Sequence, residues 1–469
     1  MAKNLIIALL TAALAAVVLW SSPETLTAEN PETPAGQAPA AGPQAPAAIL
    51  QALREIENDP ALASAAFGFC LLDPEGETIA AHQERLPLIP ASTLKTLTVA
   101  SALEILGPDF RFETVVEAIG QPGDTHLESL VIRGGGDPTL AMATLEKWAD
   151  DLSGRGIKSI GQVLGDASIF ITTPTVGDFW GWGDIGNAYG SPAAGLNLNH
   201  NRFLARFIPG NPGQAARFSG AEPEVPAVRW ENTVTTGAPG SGDGVVIYAG
   251  PSATVIRLTG TVPAGVDHFQ VGGAVPDPAH FTAFHLDRLL RERGITIHRA
   301  PAAGSVGKSR RWLSHRSASL LEIARQLQKT SDNHEAECLF RMIGVHQSGD
   351  PASVIRRHWE KRGLPLAACR LVDGSGLSRA NYLPAITLAR LQHIALTGPA
   401  GRDYLSTLNP TRQGNARTKG GAMSAIRSST GCLTLADGRQ GSFAILFNHF
   451  PDSAVVEKHI SALTHAMMK

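Results

Sequence analysis

The sequence predicts an α+β fold that is interrupted by a large β-rich insertion. Segments with helical texture occur towards both ends of the chain, and a strand–turn–strand pattern lies near the C-terminus. Between residues 114 and 301, glycine and proline become frequent, and short strand-like runs alternate with turns. Helices packed against an antiparallel sheet are one of the few layered arrangements that bury such elements.

The first 48 residues precede the predicted fold. Lys3 is followed by an uncharged apolar run from Leu5 to Trp20, which suits a signal peptide and is short for a membrane span. We therefore predict that residues 1–28 form a signal peptide or an uncleaved N-terminal anchor. Residues 29–48 are rich in Pro, Ala and Gly and predict an extended linker.

The core is predicted in two parts, residues 49–113 and 302–469. In the first part, Ala47 to Asn58 has the apolar face of an amphipathic helix, and Ala66 to Leu72 predicts a strand. A helix then begins near Ser92 and ends at Gly107-Pro108. In the second part, helices are predicted at Ser319 to Lys329, Glu335 to Val345, Pro384 to Leu396 and Ser453 to Met468.

A hairpin is predicted before the last helix. Met423 to Leu435 and Gly441 to Asn448 are strand-like, and Ala436-Asp437-Gly438 supplies the turn. Residues 114–301 lie between the two parts of the core and are predicted to form an insertion of two subdomains.

Composition and motifs argue against several classes of protein. The net charge of −2 gives no reason to expect nucleic acid as a partner. The four cysteines include no C-x-x-C, so zinc-ribbon and thioredoxin sites have little support, whereas one or two disulfides stay possible. No H-E-x-x-H occurs, and surface or core roles are favoured over a metal site for His200, His280, His285 and His298. Gly134-Gly135-Gly136 is not a phosphate loop, because no G-K-[ST] follows it.

The stretch around Ser92 points to nucleophilic chemistry. From Leu86 to Leu103 the only charged residue is Lys95, so the helix is predicted to be buried. A buried lysine tends to lose its proton. Ser92 lies one helical turn before Lys95, at a helix N-terminus where backbone N–H groups are free. A hydroxyl, an amine of lowered pKa and free amide donors together suit acyl transfer. The structural alternative is a capping serine with a lysine that reaches the surface.

Two further polar clusters fall in the core. Ser331-Asp332-Asn333 lies between two predicted helices, so that Ser331 and Asn333 can face one cleft from a tight turn. Lys419-Gly420-Gly421 precedes the hairpin, where glycines let a substrate approach the strand edge and Lys419 can attract a carboxylate. The order S-x-x-K, S-x-N, K-x-G is that of penicillin-binding proteins and class A β-lactamases.

Other polar and aromatic side chains have structural interpretations. Asp137 and Asp373 are predicted to order glycine-rich turns through Asx-type hydrogen bonds, not to act as catalytic carboxylates. Trp180, Trp182 and Tyr189 could stack on a sugar ring, although packing within a core or loop is the commoner use.

The chain from about Ile49 onward resembles the class C, type-4 penicillin-binding proteins, a family of D-alanyl-D-alanine carboxypeptidases and endopeptidases. The resemblance implies a penicillin-binding, β-lactamase-like transpeptidase core, and a large insertion between the serine and S-x-N motifs is typical of that family. Besides the three motifs, the stretches that carry it are Gly135 to Leu140, Trp182 to Gly190, Ala194 to Asn199, Ser331 to Ala336, Asp373 to Arg379 and Phe447 to Phe450.

The same resemblance implies a role for each motif residue. Ser92 resembles the acylated nucleophile and Lys95 the base that takes its proton. Ser331 resembles the relay that returns a proton to the leaving amine, and Asn333 a contact to the substrate amide. Lys419 resembles the lysine that binds the substrate carboxylate.

By the same resemblance, the backbone N–H groups of Ser92 and Ala422 would be the oxyanion donors, and Gly421 belongs to the substrate-binding strand. The family usually has K-T-G, whereas here Gly420 replaces the threonine. The lost hydroxyl normally helps to hold the terminal carboxylate, so weakened carboxypeptidase turnover is expected, and not loss of acylation. Thr418 would share a strand face with Gly420 and could partly substitute.

We therefore predict an exported serine-type D-Ala-D-Ala carboxypeptidase/endopeptidase that acts on peptidoglycan stem peptides and is acylated by penicillin. It is expected in the periplasm or anchored at the outer face of the cytoplasmic membrane, with no cofactor, no metal and no nucleic-acid partner. The alternatives are a catalytically weak peptidoglycan-binding scaffold of the same fold and a β-lactamase. The oligomeric state and the balance of exo- and endopeptidase action stay open.

Overall fold

A computed structural model describes residues 46–121, 123–170, 176–412 and 414–469. The predicted signal peptide or anchor and residues 29–45 of the predicted linker lie outside these ranges. The α-helices span Ala47–Glu57, Lys95–Ile105, Met142–Gly154, Trp182–Ile185, Pro278–Glu292, Leu320–Thr330, Asn333–His346, Pro351–Glu360, Ala385–Thr397, Gly401–Thr407 and Ser453–Ala466.

A six-stranded antiparallel sheet joins the two predicted parts of the core. The N-terminal strand pairs with the C-terminal hairpin, with Cys70 opposite Ala444. The fold is therefore α+β with an antiparallel sheet, as predicted. In order across the sheet, the strands are Asn409–Pro410, Ala416–Met423, Ile426–Thr434, Gln440–Asn448, Ala66–Leu72 and Thr78–His82.

Helices cover both faces of this sheet. Side chains alternate along a strand, so Cys70 and Leu72 enter one apolar core while Phe69 and Leu71 enter the other. The first core contains the helix Lys95–Ile105, and the second is closed by the first and last helices of the described chain. The sheet thus forms a rigid middle layer that holds the Ser92 region against one face.

The C-terminal sheet contains a turn that the sequence did not predict. The segment predicted as one strand over 423–435 is the end of strand Ala416–Met423, a two-residue turn at Ser424-Ala425, and strand Ile426–Thr434. Ala425 adopts a left-handed conformation (φ 58°), which is uncommon for alanine and gives no turn signature in the sequence. Lys419 therefore lies within a strand.

The remaining strands form five smaller sheets between residues 113 and 316. In the largest, strand Arg310–Arg316 pairs with Glu113–Ile119. The strands of this five-stranded sheet are Ala302–Ala303, Val163–Asp166, Ser129–Arg133, Glu113–Ile119 and Arg310–Arg316. One three-stranded sheet contains Phe269–Ala274, Arg202–Ile208 and Arg217–Glu222, and a second contains Arg229–Asn232, Val255–Thr259 and Val246–Tyr248. The third contains Thr296–Ile297, Ser159–Ile160 and His126–Leu127. The two-stranded sheet pairs Thr235–Gly237 with Thr261–Pro263.

The disulfide question left open by the sequence is answered in the described residues. Cys70, Cys338, Cys369 and Cys432 are all buried free thiols, so they form no disulfide. None of the helices in the described part of the chain combines the length and apolar character that a membrane span needs.

Candidate active site

Ser92 and Lys95 face each other at the start of a buried helix. Ser92 lies in a single 3₁₀ turn, Ala91–Leu94, that continues into the α-helix Lys95–Ile105. A 3₁₀ turn has three residues, so side chains three apart are eclipsed. The Lys95 Nζ donates a hydrogen bond to Ser92 Oγ at 2.9 Å. The predicted pairing of the two side chains is therefore present.

Lys95 is fully buried and has three hydrogen-bond acceptors. Besides Ser92, its Nζ donates to Asn333 Oδ1 and to the Ser375 carbonyl, both at 2.6 Å. Burial lowers the pKa of Lys95 to about 7, and the positive charge of Lys419 acts in the same direction. An amine with a pKa near neutrality is available in its neutral form as a base.

The S-x-N motif forms a tight connection between helices Leu320–Thr330 and Asn333–His346. Ser331 ends the first helix in a left-handed conformation (φ 59°), and Asp332 caps the second by accepting a hydrogen bond from the Glu335 N–H. Asn333 lies between Lys95 and the insertion, because its Nδ2 donates to the Tyr189 carbonyl at 2.8 Å. The turn thus presents Ser331 and Asn333 to the same site, as predicted.

Lys419 reaches this turn from the strand Ala416–Met423. Its Nζ donates to Ser331 Oγ at 2.8 Å and to the Gly420 carbonyl at 2.8 Å. Burial lowers the pKa of Lys419 to about 8. A cation held this close to the Ser92–Lys95 pair can attract a substrate carboxylate.

The two glycines after Lys419 have different surroundings. A Cβ added at Gly421 would lie 2.9 Å from the backbone nitrogen of Ser92, and still closer to Ser428 Oγ. Glycine therefore allows the strand to pass directly against the Ser92 turn. A Cβ at Gly420 would meet nothing nearer than the Ser428 carbonyl at 3.9 Å, and both Gly420 and Ala422 are exposed.

Sequence reasoning gave no role to Glu337 or Ser375. The Ser375 carbonyl that accepts from Lys95 belongs to a buried loop, and Glu337 Oε1 accepts the N–H groups of Gly374 and Ser375 at 3.0 and 2.8 Å. Burial, together with the nearby charge of Asp373, raises the pKa of Glu337 above its ordinary value. The same helix also contains Glu335 and Arg341, so Glu337 is not isolated in the sequence as Lys95 is, and no local signal marked it.

Asp373 and Asp137 order turns, as predicted. Asp373 accepts hydrogen bonds from the N–H groups of Gly376 and Ser378, at 2.8 and 2.7 Å. Asp137 accepts from the N–H of Thr139 at 2.8 Å. Trp180 is buried and donates its indole N–H to Asp373 at 2.9 Å, which ties the insertion to the loop that holds Lys95.

His200 joins a polar cluster beside the S-x-N motif. One potential ligand atom each from His200, Asp332 and Glu335 lies within 4.8 Å of the others. Arg202 binds Asp332 with two nitrogens, at 2.8 and 3.1 Å. Burial acts to raise the pKa of Asp332, but the Arg202 charge and nearby groups outweigh it and bring the pKa to about 2. Because Arg202 already compensates the Asp332 charge, the cluster is better described as an ion-pair network.

Comparison with known proteins identifies the family. The model of the D-Ala-D-Ala carboxypeptidase 3 (S13) family matches residues 49–468. A D-alanyl-D-alanine carboxypeptidase of an Actinomadura species is 31% identical over 401 residues, covering 81% of this chain and 74% of the relative. The D-alanyl-D-alanine carboxypeptidase DacB of Haemophilus influenzae is 27% identical over 407 residues, covering 80% and 84%.

A solved structure shows the same fold. The crystal structure of penicillin-binding protein 4 from Haemophilus influenzae superposes with a TM-score of 0.77 at 20% identity, covering 90% of this chain and 99% of that one. A second structure of that protein, complexed with a β-lactam, gives a TM-score of 0.72 at 19% identity. With the three motifs assembled around Ser92, these matches show that the chain belongs to the D-Ala-D-Ala carboxypeptidase 3 (S13) family.

Proposed function

We propose that the protein is a serine-type D-Ala-D-Ala carboxypeptidase/endopeptidase that acts on peptidoglycan stem peptides. The observation that carries the proposal is the 2.9 Å contact between Ser92 Oγ and the fully buried Lys95 Nζ. The relatives named as D-alanyl-D-alanine carboxypeptidases support the substrate class.

In the proposed reaction, Ser92 attacks the carbonyl of the penultimate D-Ala. Neutral Lys95 accepts the hydroxyl proton as the new C–O bond forms, since its Nζ is already within hydrogen-bond distance. The developing oxyanion would accept from the backbone N–H groups of Ser92 and Ala422. The closeness of Gly421 to the Ser92 backbone supports this arrangement.

Collapse of the tetrahedral intermediate breaks the peptide bond. Ser331 would donate its hydroxyl proton to the leaving amine and regain one from protonated Lys95, which returns Lys95 to its neutral form. Asn333 would bind the substrate amide, and Lys419 would hold the terminal carboxylate. The hydrogen bond from Lys419 to Ser331 supports this assignment by holding the Ser331 hydroxyl in the site. Water then attacks the acyl-enzyme, which releases the shortened peptide and restores the Ser92 hydroxyl.

Covalent labelling by fluorescent penicillin tests the proposal. We expect the wild-type protein to be labelled, Ser92→Ala to be unlabelled, and Ser424→Ala to be labelled at the wild-type rate. Ser424 is an exposed serine in the neighbouring turn and serves as the matched control. Labelling that survives in Ser92→Ala would refute the assignment of the nucleophile.

The same measurement separates the alternatives. A folded wild-type protein that takes no label would favour the peptidoglycan-binding scaffold, for which Gly420 is the motivating residue. Rapid hydrolysis of β-lactams, with no release of D-Ala from a stem pentapeptide, would favour a β-lactamase.

We also infer the domain organisation and the location of the protein. All six strands of the main sheet fall within residues 49–113 and 302–469, which supports one catalytic domain interrupted by an insertion. Strands Ala302–Ala303 and Arg310–Arg316 pair with strands of the insertion, so the insertion extends past the predicted boundary at residue 301. The apolar run from Leu5 to Trp20 supports export, to the periplasm or to the outer face of the cytoplasmic membrane. β-Lactams are proposed as inhibitors, in line with the β-lactam complex of the Haemophilus protein.

A further inference from the structure

Exposed aromatic side chains are concentrated in one segment of the insertion. Phe179, Trp182 and Tyr189 are 65%, 62% and 49% exposed. Exposed apolar side chains that cluster on a surface can mark a binding site, whereas single ones are common and need no explanation. Trp180, which lies between them, is buried, so the exposure is selective.

Trp182 borders a groove on the outer face of a three-stranded sheet. In this sheet Tyr248 pairs with Arg257 across the strands, so both side chains point to the same face. The alternating residues Ile247, Ile256 and Leu258 are buried on the opposite face. The outer face therefore combines an aromatic ring with a charged group.

The rings of Trp182 and Tyr248 are stacked at the edge of the groove. The Trp182 and Tyr248 rings have centroids 6.2 Å apart and planes inclined by 24°. The six-membered ring of Trp182 lies over Gly250, where an added Cβ would be in van der Waals contact with it at 3.7 Å. The groove has a volume of about 560 Å³, and its floor includes Ala249 and Ala253.

Polar groups line the rim of this groove. Arg257 binds Glu231 at 2.9 and 3.1 Å, and Arg229 binds the same carboxylate at 2.7 Å. Thr259 also lines the groove. Flat aromatic faces suit the C–H face of a pyranose ring, and fixed guanidinium and hydroxyl groups suit its hydroxyl and acetamido substituents.

One segment of the insertion links the groove to the candidate active site through hydrogen bonds. Trp182 lies in the short helix Trp182–Ile185, Asp184 of that helix accepts a hydrogen bond from Tyr189 Oη at 3.1 Å, and the Tyr189 carbonyl accepts from Asn333. On the proposed function, the stem peptide that reaches Ser92 is covalently attached to a glycan strand. We propose that the groove formed by Trp182, Tyr248 and Arg257 binds an N-acetylated sugar of that strand.

Calorimetric titration of the full chain with a tetramer of N-acetylglucosamine tests this site. We expect saturable binding by the wild-type protein and a loss of affinity of about tenfold or more in Trp182→Ala and in Tyr248→Ala. Phe179→Ala is the matched control, because Phe179 is equally exposed, lies outside the groove and stacks with Arg370. Absence of binding by the wild-type protein, or equal affinity in Trp182→Ala and Phe179→Ala, would overturn the proposal. A wild-type protein that binds no sugar but self-associates, and that loses self-association in Trp182→Ala, would show that the groove binds a second copy of the chain. That result would also overturn the proposal.

Penicillin labelling keeps this test separate from the test of the proposed function. Each groove variant should be labelled as the wild type is, which shows that it is folded. A protein that is labelled but binds no sugar would refute the glycan site alone. A protein that binds sugar through Trp182 but takes no label would refute the proposed catalytic function alone. As a second readout, Trp182→Ala should lower the ratio of kcat/KM on a glycan-linked peptide to kcat/KM on the free peptide.

Discussion

Gly420→Thr is expected to increase carboxypeptidase turnover. Position 420 is exposed on the strand that carries Lys419, and an added Cβ would meet only the Ser428 carbonyl at 3.9 Å. A threonine therefore fits without displacing the strand. Its side chain would share a face with Thr418 and Ala422, alternating with the face of Lys419. The substitution restores the hydroxyl that the family usually places beside the substrate carboxylate.

The size of the gain follows from the kind of hydrogen bond that is added. A hydrogen bond to a charged group contributes about 1.5–3 kcal/mol, and one between neutral groups about 0.5–1.5 kcal/mol. The charged range corresponds to roughly 10- to 150-fold in a rate or binding constant. Because position 420 is exposed, water competes for the carboxylate, so we expect the lower end, about tenfold in kcat/KM.

Gly420→Val is the control that isolates the hydroxyl. Valine has nearly the shape of threonine and the same preference for strands, so both variants change strand stability in the same direction. The assay is the release of D-Ala from a stem pentapeptide, with the active-site concentration set by penicillin labelling. Equal kcat/KM in the Thr and Val variants would refute the reasoning. If Thr418 already supplies the missing hydrogen bond, Thr418→Val should lower turnover in the wild-type background.

Three other substitutions test how the site is held. Lys95→Ala should abolish acylation by penicillin while the thermal unfolding transition is retained, since it removes the base; unchanged acylation would contradict that role. Glu337→Gln keeps an acceptor for the N–H groups of the 374–375 loop but removes a charge that raises the pKa of Lys95. If Lys95 is the base, acylation is expected to rise with pH as Lys95 loses its proton near pH 7, and this rise should move to lower pH in the variant; a move to higher pH would exclude the electrostatic effect. Gly421→Ala should slow acylation more than tenfold because its Cβ would press on the Ser92 backbone, whereas Gly420→Ala should leave it near the wild-type rate.

The parts of the site that were predictable from sequence are those in which local spacing fixes geometry. Ser92 and Lys95 are three residues apart on one helical turn, so their contact follows once the turn forms. The isolation of Lys95 in an apolar stretch predicted its burial, and it is fully buried. The turn at Ser331 to Asn333 was likewise marked by residues that cap and connect helices.

Other features depend on contacts between distant segments, which a sequence pattern does not encode. Glu337 holds the loop at Gly374 and Ser375, although 37 and 38 residues separate the partners. The turn at Ser424-Ala425 has no Gly, Pro or Asn to mark it. Ala425 nevertheless adopts a left-handed conformation there, between two paired strands. In both cases tertiary packing decides the structure, and local propensity does not.

The charge of Lys419 acts on Lys95, so on the proposed mechanism a bound substrate is expected to change the basicity of Lys95. Burial lowers the pKa of both side chains, and the charge of Lys419 lowers the pKa of Lys95 further, to about 7. When the terminal carboxylate of a substrate pairs with Lys419, its negative charge offsets the charge that Lys95 experiences. On the proposed mechanism, we expect this to raise the pKa of Lys95, which makes its neutral form a stronger base while leaving a smaller fraction of it neutral at a given pH. The strand that carries Lys419 can therefore contribute both to substrate binding and to the basicity of the group that starts the reaction.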